Sequence, residues 1–216
     1  DGGMSPDWTH VNDVDKIGPG RYLASPRNFD QVIVVDRETK RITLKLGEDG
    51  DHDVLNEQHN PAYLETDDGR PVILVADSEN DRVVEYDREG GAWERAWSWT
   101  SSETAWPRDA DRLPNGNTLI TDTRNSRLLE VDENGTVVWS TKSHVIPYEA
   151  ERLPAGERAE GVRYGAVGGE VDPANDGVPV LTEAVGLLRG ALPFIPFWFG
   201  EPQLLLTSVG LVAAAG

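Results

Sequence analysis

The run Asp77-Ser78-Glu79-Asn80-Asp81-Arg82-Val83-Val84-Glu85-Tyr86-Asp87 returns 45 residues later as Asp122-Thr123-Arg124-Asn125-Ser126-Arg127-Leu128-Leu129-Glu130-Val131-Asp132. An explicit repeat of this period restricts the chain to stacked or radially arranged supersecondary units. A looser first copy runs from Ser25 to Asp36 and carries one extra residue. Within the last unit, Asp111 to Leu113 leads to the turn Pro114-Asn115-Gly116. Thr118 to Thr121 and Arg127 to Val131 follow, then the turn Glu133-Asn134-Gly135 and the run Thr136 to Ser140. Asn-Gly between alternating apolar runs is a strong hairpin signal. Gly18-Pro19-Gly20 and Asp67-Asp68-Gly69 hold the corresponding first turn in the other units. Four short strands per unit match a β-propeller blade. Helical repeats of similar period do not fit, because Val32-Ile33-Val34-Val35 and Val72-Ile73-Leu74-Val75 are short, β-rich runs bounded by turn residues.

The fold class expected is therefore all-β, a β-propeller of which this chain supplies three blades over residues 1–144. Propellers close with about 4 to 8 blades, so the chain reads as the C-terminal half of a longer protein. Residues 145–180, rich in Gly, Pro and Glu, read as a linker. Residues 181–216 are apolar, with Phe194-Ile195-Pro196-Phe197-Trp198-Phe199 and Leu204-Leu205-Leu206, and their only charges are Glu183, Arg189 and Glu201. A spanning helix needs about 20 apolar residues. Gln203 to Gly216 offers 14, and Trp198 with its Phe neighbours suits the interface. A hydrophobic, helical membrane anchor is expected there, in contact with lipid. A hydrophobic helical hairpin packed on a partner protein is the other reading.

Composition sets the surroundings. The formal net charge is −18, from 38 acidic against 20 basic residues, nearly all of it before the tail. That balance excludes a nucleic-acid partner, which requires a basic footprint to displace counterions. Few lysines among abundant Asp and Glu suit a halophile, whose salt screens self-repulsion. There are no cysteines, so there is no disulfide framework.

Each unit opens on a distinctive segment: Trp8-Thr9-His10-Val11-Asn12-Asp13, Glu57-Gln58-His59-Asn60-Pro61 and Ala105-Trp106-Pro107-Arg108-Asp109. A propeller brings such positions to one shared surface, so His10 and His59 are expected at equivalent places around one centre. Arg27, in the turn after the second strand, brings a planar five-donor guanidinium suited to a tetrahedral oxyanion. Histidine serves near neutrality as nucleophile, base or acid. The other histidines carry less. His52 lies in the acidic loop Asp49-Gly50-Asp51-His52-Asp53, where Val54 and Asn60 stand in place of the glycine and glutamate of a calcium loop. His144 follows the last strand. His10 and His59 with Asp13 would suit a divalent metal, but Arg27 opposes it, and no metal or cofactor is expected.

The pattern Trp8-Thr9-His10-Val11-Asn12, then Ser25-Pro26-Arg27, then Gln58-His59 resembles the arylsulfotransferase family, the aryl-sulfate sulfotransferases that do not use nucleotide sulfate. The resemblance implies a six-bladed propeller with a site at the funnel centre, and it is strongest to membrane-anchored halophilic members. It implies ping-pong transfer of a sulfuryl group from an aryl sulfate to a phenol through a covalent sulfohistidine. By position His59 would carry that group, and His10, Asn12 and Arg27 would contact sulfate. A further family histidine, from an earlier blade, would lie before Asp1. Trp8, Phe29 and Trp106 are candidates to hold aromatic rings, and Arg108 to join the anion pocket or to pair with Asp109. An extracellular propeller also follows from the resemblance, with protein partners in a membrane assembly. The competing class is a non-catalytic, membrane-tethered scaffold or ligand-binding module, in which Asp-x-x-Asn-x-Arg serves only to tie strands and blades.

Overall fold

The computed structural model describes residues 7–66, 68–101, 104–153, 169–171, 184, 187–188, 192 and 203–206. Three antiparallel sheets follow one another along the chain, each built from four consecutive strands in sequence order. The first contains β1 (Val11–Gly18), β2 (Arg21–Pro26), β3 (Val32–Asp36) and β4 (Arg41–Leu46). The second contains β5 (His59–Glu65), β6 (Pro71–Asp77), β7 (Arg82–Glu89) and β8 (Ala92–Thr100). The third contains β9 (Pro107–Arg112), β10 (Thr118–Asp122), β11 (Arg127–Val131) and β12 (Val137–Lys142). A short strand, β13 (Gly169–Val171), pairs in parallel with β8 and makes the second sheet five-stranded. Up-and-down four-stranded sheets in sequence are the blade pattern that the repeat predicts.

The second sheet is packed on both faces. Val72 and Leu74 of β6 join Val83, Trp97 and Trp99 against Ala110, Ile120, Leu129 and Val131 of the third sheet. Ile73 and Val75, pointing the opposite way, join Val84 and Tyr86 against Leu23, Val32, Val34, Leu44 and Leu46 of the first. Alternate side chains of a strand point to opposite faces, so a run apolar at every position belongs to a sheet with a core on each side. The unbroken run Val72-Ile73-Leu74-Val75 is the sequence record of that placement. Among the third sheet's strands, β9 starts at Pro107, four residues before the expected Asp111. Pro107-Arg108-Asp109-Ala110 has little strand propensity, and its pairing with β10 supplies what local preference does not.

Buried carboxylates hold the frame. Asp77 accepts from Asn80 Nδ2 at 2.8 Å, Arg82 Nε at 2.6 Å and the backbone N–H of Asn56 at 2.7 Å. Asp122 accepts in the same way from Asn125, Arg127 Nε at 2.6 Å and the N–H of Ala105 at 2.9 Å. The Asp-x-x-Asn-x-Arg motif thus closes the corner after the second strand and fixes the segment leading into the first. The first sheet carries Pro26, Phe29 and Gln31 at these places, at a constant offset of 51 residues, so its copy has no inserted residue. A second set of ties runs between sheets. Asp30 accepts the N–H of Glu57 at 2.9 Å and of Gly50 at 3.0 Å, and Asp81 accepts that of Trp106 at 2.6 Å. Gly47, with φ +82°, lets the crossing loop pass over Asp30, whose carbonyl oxygen a Cβ would meet at 2.1 Å.

One ion pair joins sheets inside the core. Arg112 Nη2 of β9 lies 2.9 Å from Glu85 Oε2 of β7, with both side chains fully buried, and Arg112 Nε donates to Thr118 Oγ1 at 3.0 Å. Removing one partner strands a buried charge, whereas removing both does not. Arg112→Leu is expected to destabilise the fold by about 3–5 kcal/mol in chemical denaturation, and Arg112→Leu with Glu85→Leu by clearly less. Equal losses in the single and double variants would show that the pair is not coupled.

Candidate functional site

Three residues that precede a first strand share a left-handed backbone: His10 at φ 44°, Glu57 at 49° and Trp106 at 56°. Asp30 and Asp81 tie down the second and third of these by the same amide contact. The blades therefore align on His10, Glu57 and Trp106, and the two histidines are not at equivalent places. Two residues further on stand Asn12, His59 and Arg108, one per blade, at the inner end of the first strand. The corner after each second strand supplies the other positions. Arg27, Ser78 and Thr123 open the corner, followed by Asn28, Glu79 and Arg124.

His59 is 2% exposed. Its Nδ1 lies 2.8 Å from Ser78 Oγ and 3.1 Å from the Glu57 carbonyl oxygen. The rings of Trp106 and Tyr148 approach it edge-on, each with its centroid 5.9 Å away. Burial first, then the charges of Arg108, Arg27 and His10, hold its pKa down at about 3. A proton on this ring would be both desolvated and repelled, so His59 is a neutral imidazole at physiological pH.

Arg108 does not pair with Asp109. Its guanidinium lies 3.8 Å from the centroid of Trp106 and 4.7 Å from that of Tyr148. Arg124 lies 4.5 Å from the Trp106 centroid on its own account. Burial lowers the Arg108 pKa; Tyr148 opposes that shift, while Arg27 and Arg124 add to it, so three guanidiniums share one neighbourhood. The Nε atoms of Arg27, Arg108 and Arg124 are buried without a hydrogen-bond partner among the described residues. Stacked guanidiniums keep their N–H edges free, and buried donors without acceptors favour an anion.

The remaining expected residues are placed as follows. Arg27 forms an ion pair with Glu57. Asn12 donates to the Gln58 carbonyl at 2.8 Å, leaving Oδ1 buried without a partner. His10 Nδ1 lies 2.6 Å from Asp7 Oδ2 in a half-exposed pair, close enough for its charge to act on His59. Trp8 and Phe29 pack edge-to-face on one another at 5.4 Å, and Trp8 is 53% exposed. Trp106 alone of the three aromatic candidates is in ring contact with His59.

Ser78, Arg124 and Tyr148 belong to this neighbourhood and were not expected in it. Arg124 stands in the repeat two residues after Asp122, so the repeat held its signal. Tyr148 falls in the segment read as linker, and the described residues that begin it, up to Leu153, lie against the third sheet. Ala150 donates its N–H to Asp109 Oδ2 at 2.9 Å, and Arg152 pairs with Glu130. Burial pushes the Asp109 carboxyl up to about 7, against the pull of the Ala150 N–H. Residues 181–216 lie almost wholly outside the described residues, and no described helix is long and apolar enough to cross a membrane.

His59 and Asp109 act on stability in opposite directions. Unfolded, His59 takes a proton near 6.5, and folded only near 3, so its contribution is complete above pH 6.5 and is lost as pH falls towards 3. Asp109, raised from 3.8 to about 7, contributes below pH 3.8 and loses that contribution as pH rises through 7. In an NMR titration the His59 ring is expected not to titrate between about pH 5 and about pH 8, where an ordinary histidine does. A midpoint near 6.5 would contradict its burial among arginines.

The arylsulfotransferase (ASST) family model matches residues 4–144. No curated protein matches the chain. Among solved structures, a protein of unknown function from Bacteroides caccae aligns with 14% identity and TM-score 0.46, over 68% of this chain and 50% of that one. The WD40 β-propeller domain of Doa1 aligns with 14% identity and TM-score 0.48, over 68% and 45%. Hydrazine synthase of Kuenenia stuttgartiensis aligns with 18% identity and TM-score 0.45, over 63% and 37%. The chain spans half or less of the length of these structures. The family match covers strands β1 to β12 and every residue expected at the site, and the chain belongs to the arylsulfotransferase family.

Proposed function

We propose that this chain carries the reacting half of a sulfotransferase that moves a sulfuryl group from an aryl sulfate to a phenol by way of His59. The observation that carries the reading is a buried, neutral imidazole in the field of Arg27 and Arg108, with Arg124 beside them and Arg108 stacked on the Trp106 ring. A neutral imidazole nitrogen can attack sulfur, and half-buried guanidiniums complement the sulfuryl oxygens as charge redistributes.

In the first half-reaction an N–S bond forms at His59, the S–O bond to the aryl group breaks, and the electron pair leaves as phenolate. With a phenol pKa of about 10 this is a competent leaving group. In the second half-reaction the oxygen of an acceptor phenol forms a new S–O bond, the N–S bond breaks, and His59 recovers its lone pair. The phenolic proton leaves to solvent. Arg108 and Arg27 bind the sulfuryl oxygens, with Asn12 as a neutral donor once its contact to the Gln58 carbonyl is exchanged. Trp106 and Tyr148 wall the space beside His59 and suit a flat aromatic ring.

Other parts of the reading rest on sequence. The apolar tail supports anchoring in a bilayer, and the extracellular face follows from the family resemblance alone. Exposed Val11 and Val14 on β1, and Val137, Val138 and Trp139 on β12, are surfaces that neighbouring blades of a six-bladed ring would cover. Flotation of the full chain with liposomes, lost on removal of residues 181–216, is the expected sign of the anchor, and flotation unchanged by that removal counts against it.

The full chain in high salt is expected to release a burst of nitrophenolate from 4-nitrophenyl sulfate, stoichiometric with protein. His59→Ala should abolish the burst without loss of fold. Arg108→Ala should lower kcat/KM by roughly 10²–10³, as removal of a donor to a developing oxyanion does. A folded wild-type protein that releases nothing would favour the scaffold reading.

A further inference from the structure

The sulfotransfer reading requires a bare ring nitrogen on His59, and the structure contains a device that decides which nitrogen that is. Ser78 stands in the corner after β6 and is fully buried. Its Oγ is 2.7 Å from the Pro107 carbonyl oxygen and 2.8 Å from His59 Nδ1, with the Ala76 carbonyl a poor alternative at 3.5 Å. A hydroxyl has one hydrogen to give, and a carbonyl can only accept. The short contact to Pro107 therefore consumes the Ser78 hydrogen, and the contact to His59 must have Ser78 as acceptor. The Glu57 carbonyl, 3.1 Å from the same nitrogen, can also only accept. Both neighbours of Nδ1 demand a hydrogen on it.

We infer that Ser78 is a positioning residue: together with the Glu57 carbonyl it fixes the proton of His59 on Nδ1, leaving Nε2 as the nucleophilic atom. The inference rests on the sulfotransfer reading for its consequence but not for its geometry. It also couples the site to the blade frame. Ser78 belongs to the second sheet and the Pro107 carbonyl to β9 of the third, so the hydroxyl that orients His59 is itself held by the neighbouring blade. Glu57 is held from the other side, its N–H donating to Asp30 of the first blade. The third blade carries Thr123 at the place of Ser78, also fully buried, so the corner accommodates a threonine.

Long-range nitrogen–proton correlation on the uniformly ¹⁵N-labelled full chain reads the tautomer directly. His59 is expected to show a pyrrole-like, protonated Nδ1 and a pyridine-like Nε2. Ser78→Ala is expected to populate the opposite tautomer. It should slow the nitrophenolate burst by roughly 10–100-fold, the range in which losing a ligand-orienting hydrogen bond acts on function. Donor affinity, measured from the concentration dependence of the burst, should change little. Ser78→Thr should restore both tautomer and rate. A wild-type His59 protonated on Nε2, or a Ser78→Ala protein with unchanged tautomer and rate, overturns the inference. If Ser78→Ala does not fold, the wild-type tautomer and the Ser78→Thr rate decide it by themselves. A wild-type Nδ1–H with no burst from any aryl sulfate upholds the assignment and overturns the sulfotransfer reading instead.

Discussion

A carboxylate accepting the backbone N–H of a segment about to become a first strand is the interaction on which the site depends. Asp77 and Asp122 make it within a blade, and Asp30 and Asp81 make it across to the next. Each contact fixes the turn from which His59 or Arg108 emerges two or three residues later. The cost of burying such a group is visible in Asp77, fully buried, whose pKa is raised by desolvation despite its donors. Charge-assisted bonds to backbone amides, and the guanidiniums of Arg82 and Arg127 on the motif aspartates, offset that cost. A frame of this kind holds the candidate site on strands rather than on free loops.

The chemistry follows from putting different residues on the same frame. One strand position offers Asn12, His59 and Arg108, and one corner offers Arg27, Ser78 and Thr123. Equivalent places in a radial repeat face a common centre, so a neutral amide, an imidazole and a guanidinium converge without any of them being near the others in sequence. Burial, and then the charges of Arg108 and Arg27, depress the basicity of the imidazole, and the imidazole, staying neutral, adds no repulsion of its own. An acidic chain of net charge −18 thereby keeps a local cationic pocket.

Much of this was legible beforehand. The repeat at 45 residues fixed the strand count per unit, and the Asp-x-x-Asn-x-Arg motif was readable as a structural tie. His59, Arg27 and Arg108 were readable as candidates because their residue types suit an oxyanion. The alignment of blades is not legible in residue type, since His10 and His59 look alike while the backbone equates His10 with Glu57. Left-handed conformation at non-glycine residues leaves little trace in residue type, so the register shows only in the folded backbone. Tyr148 had no signal, because its role comes from a chain that turns back outside the repeat. Trp8 and Phe29 satisfied each other instead of facing His59, as neighbouring aromatic side chains do when no ring separates them.

The central claim is that His59 becomes covalently sulfurylated. Peptide-level mass spectrometry of the full chain, quenched at alkaline pH after brief exposure to 4-nitrophenyl sulfate, tests it most directly. The account predicts one added sulfuryl group on the peptide containing His59, absent from His59→Ala and discharged by added phenol. Nitrophenolate release with an unmodified His59, or a sulfuryl group on another residue that turns over with phenol, would contradict it.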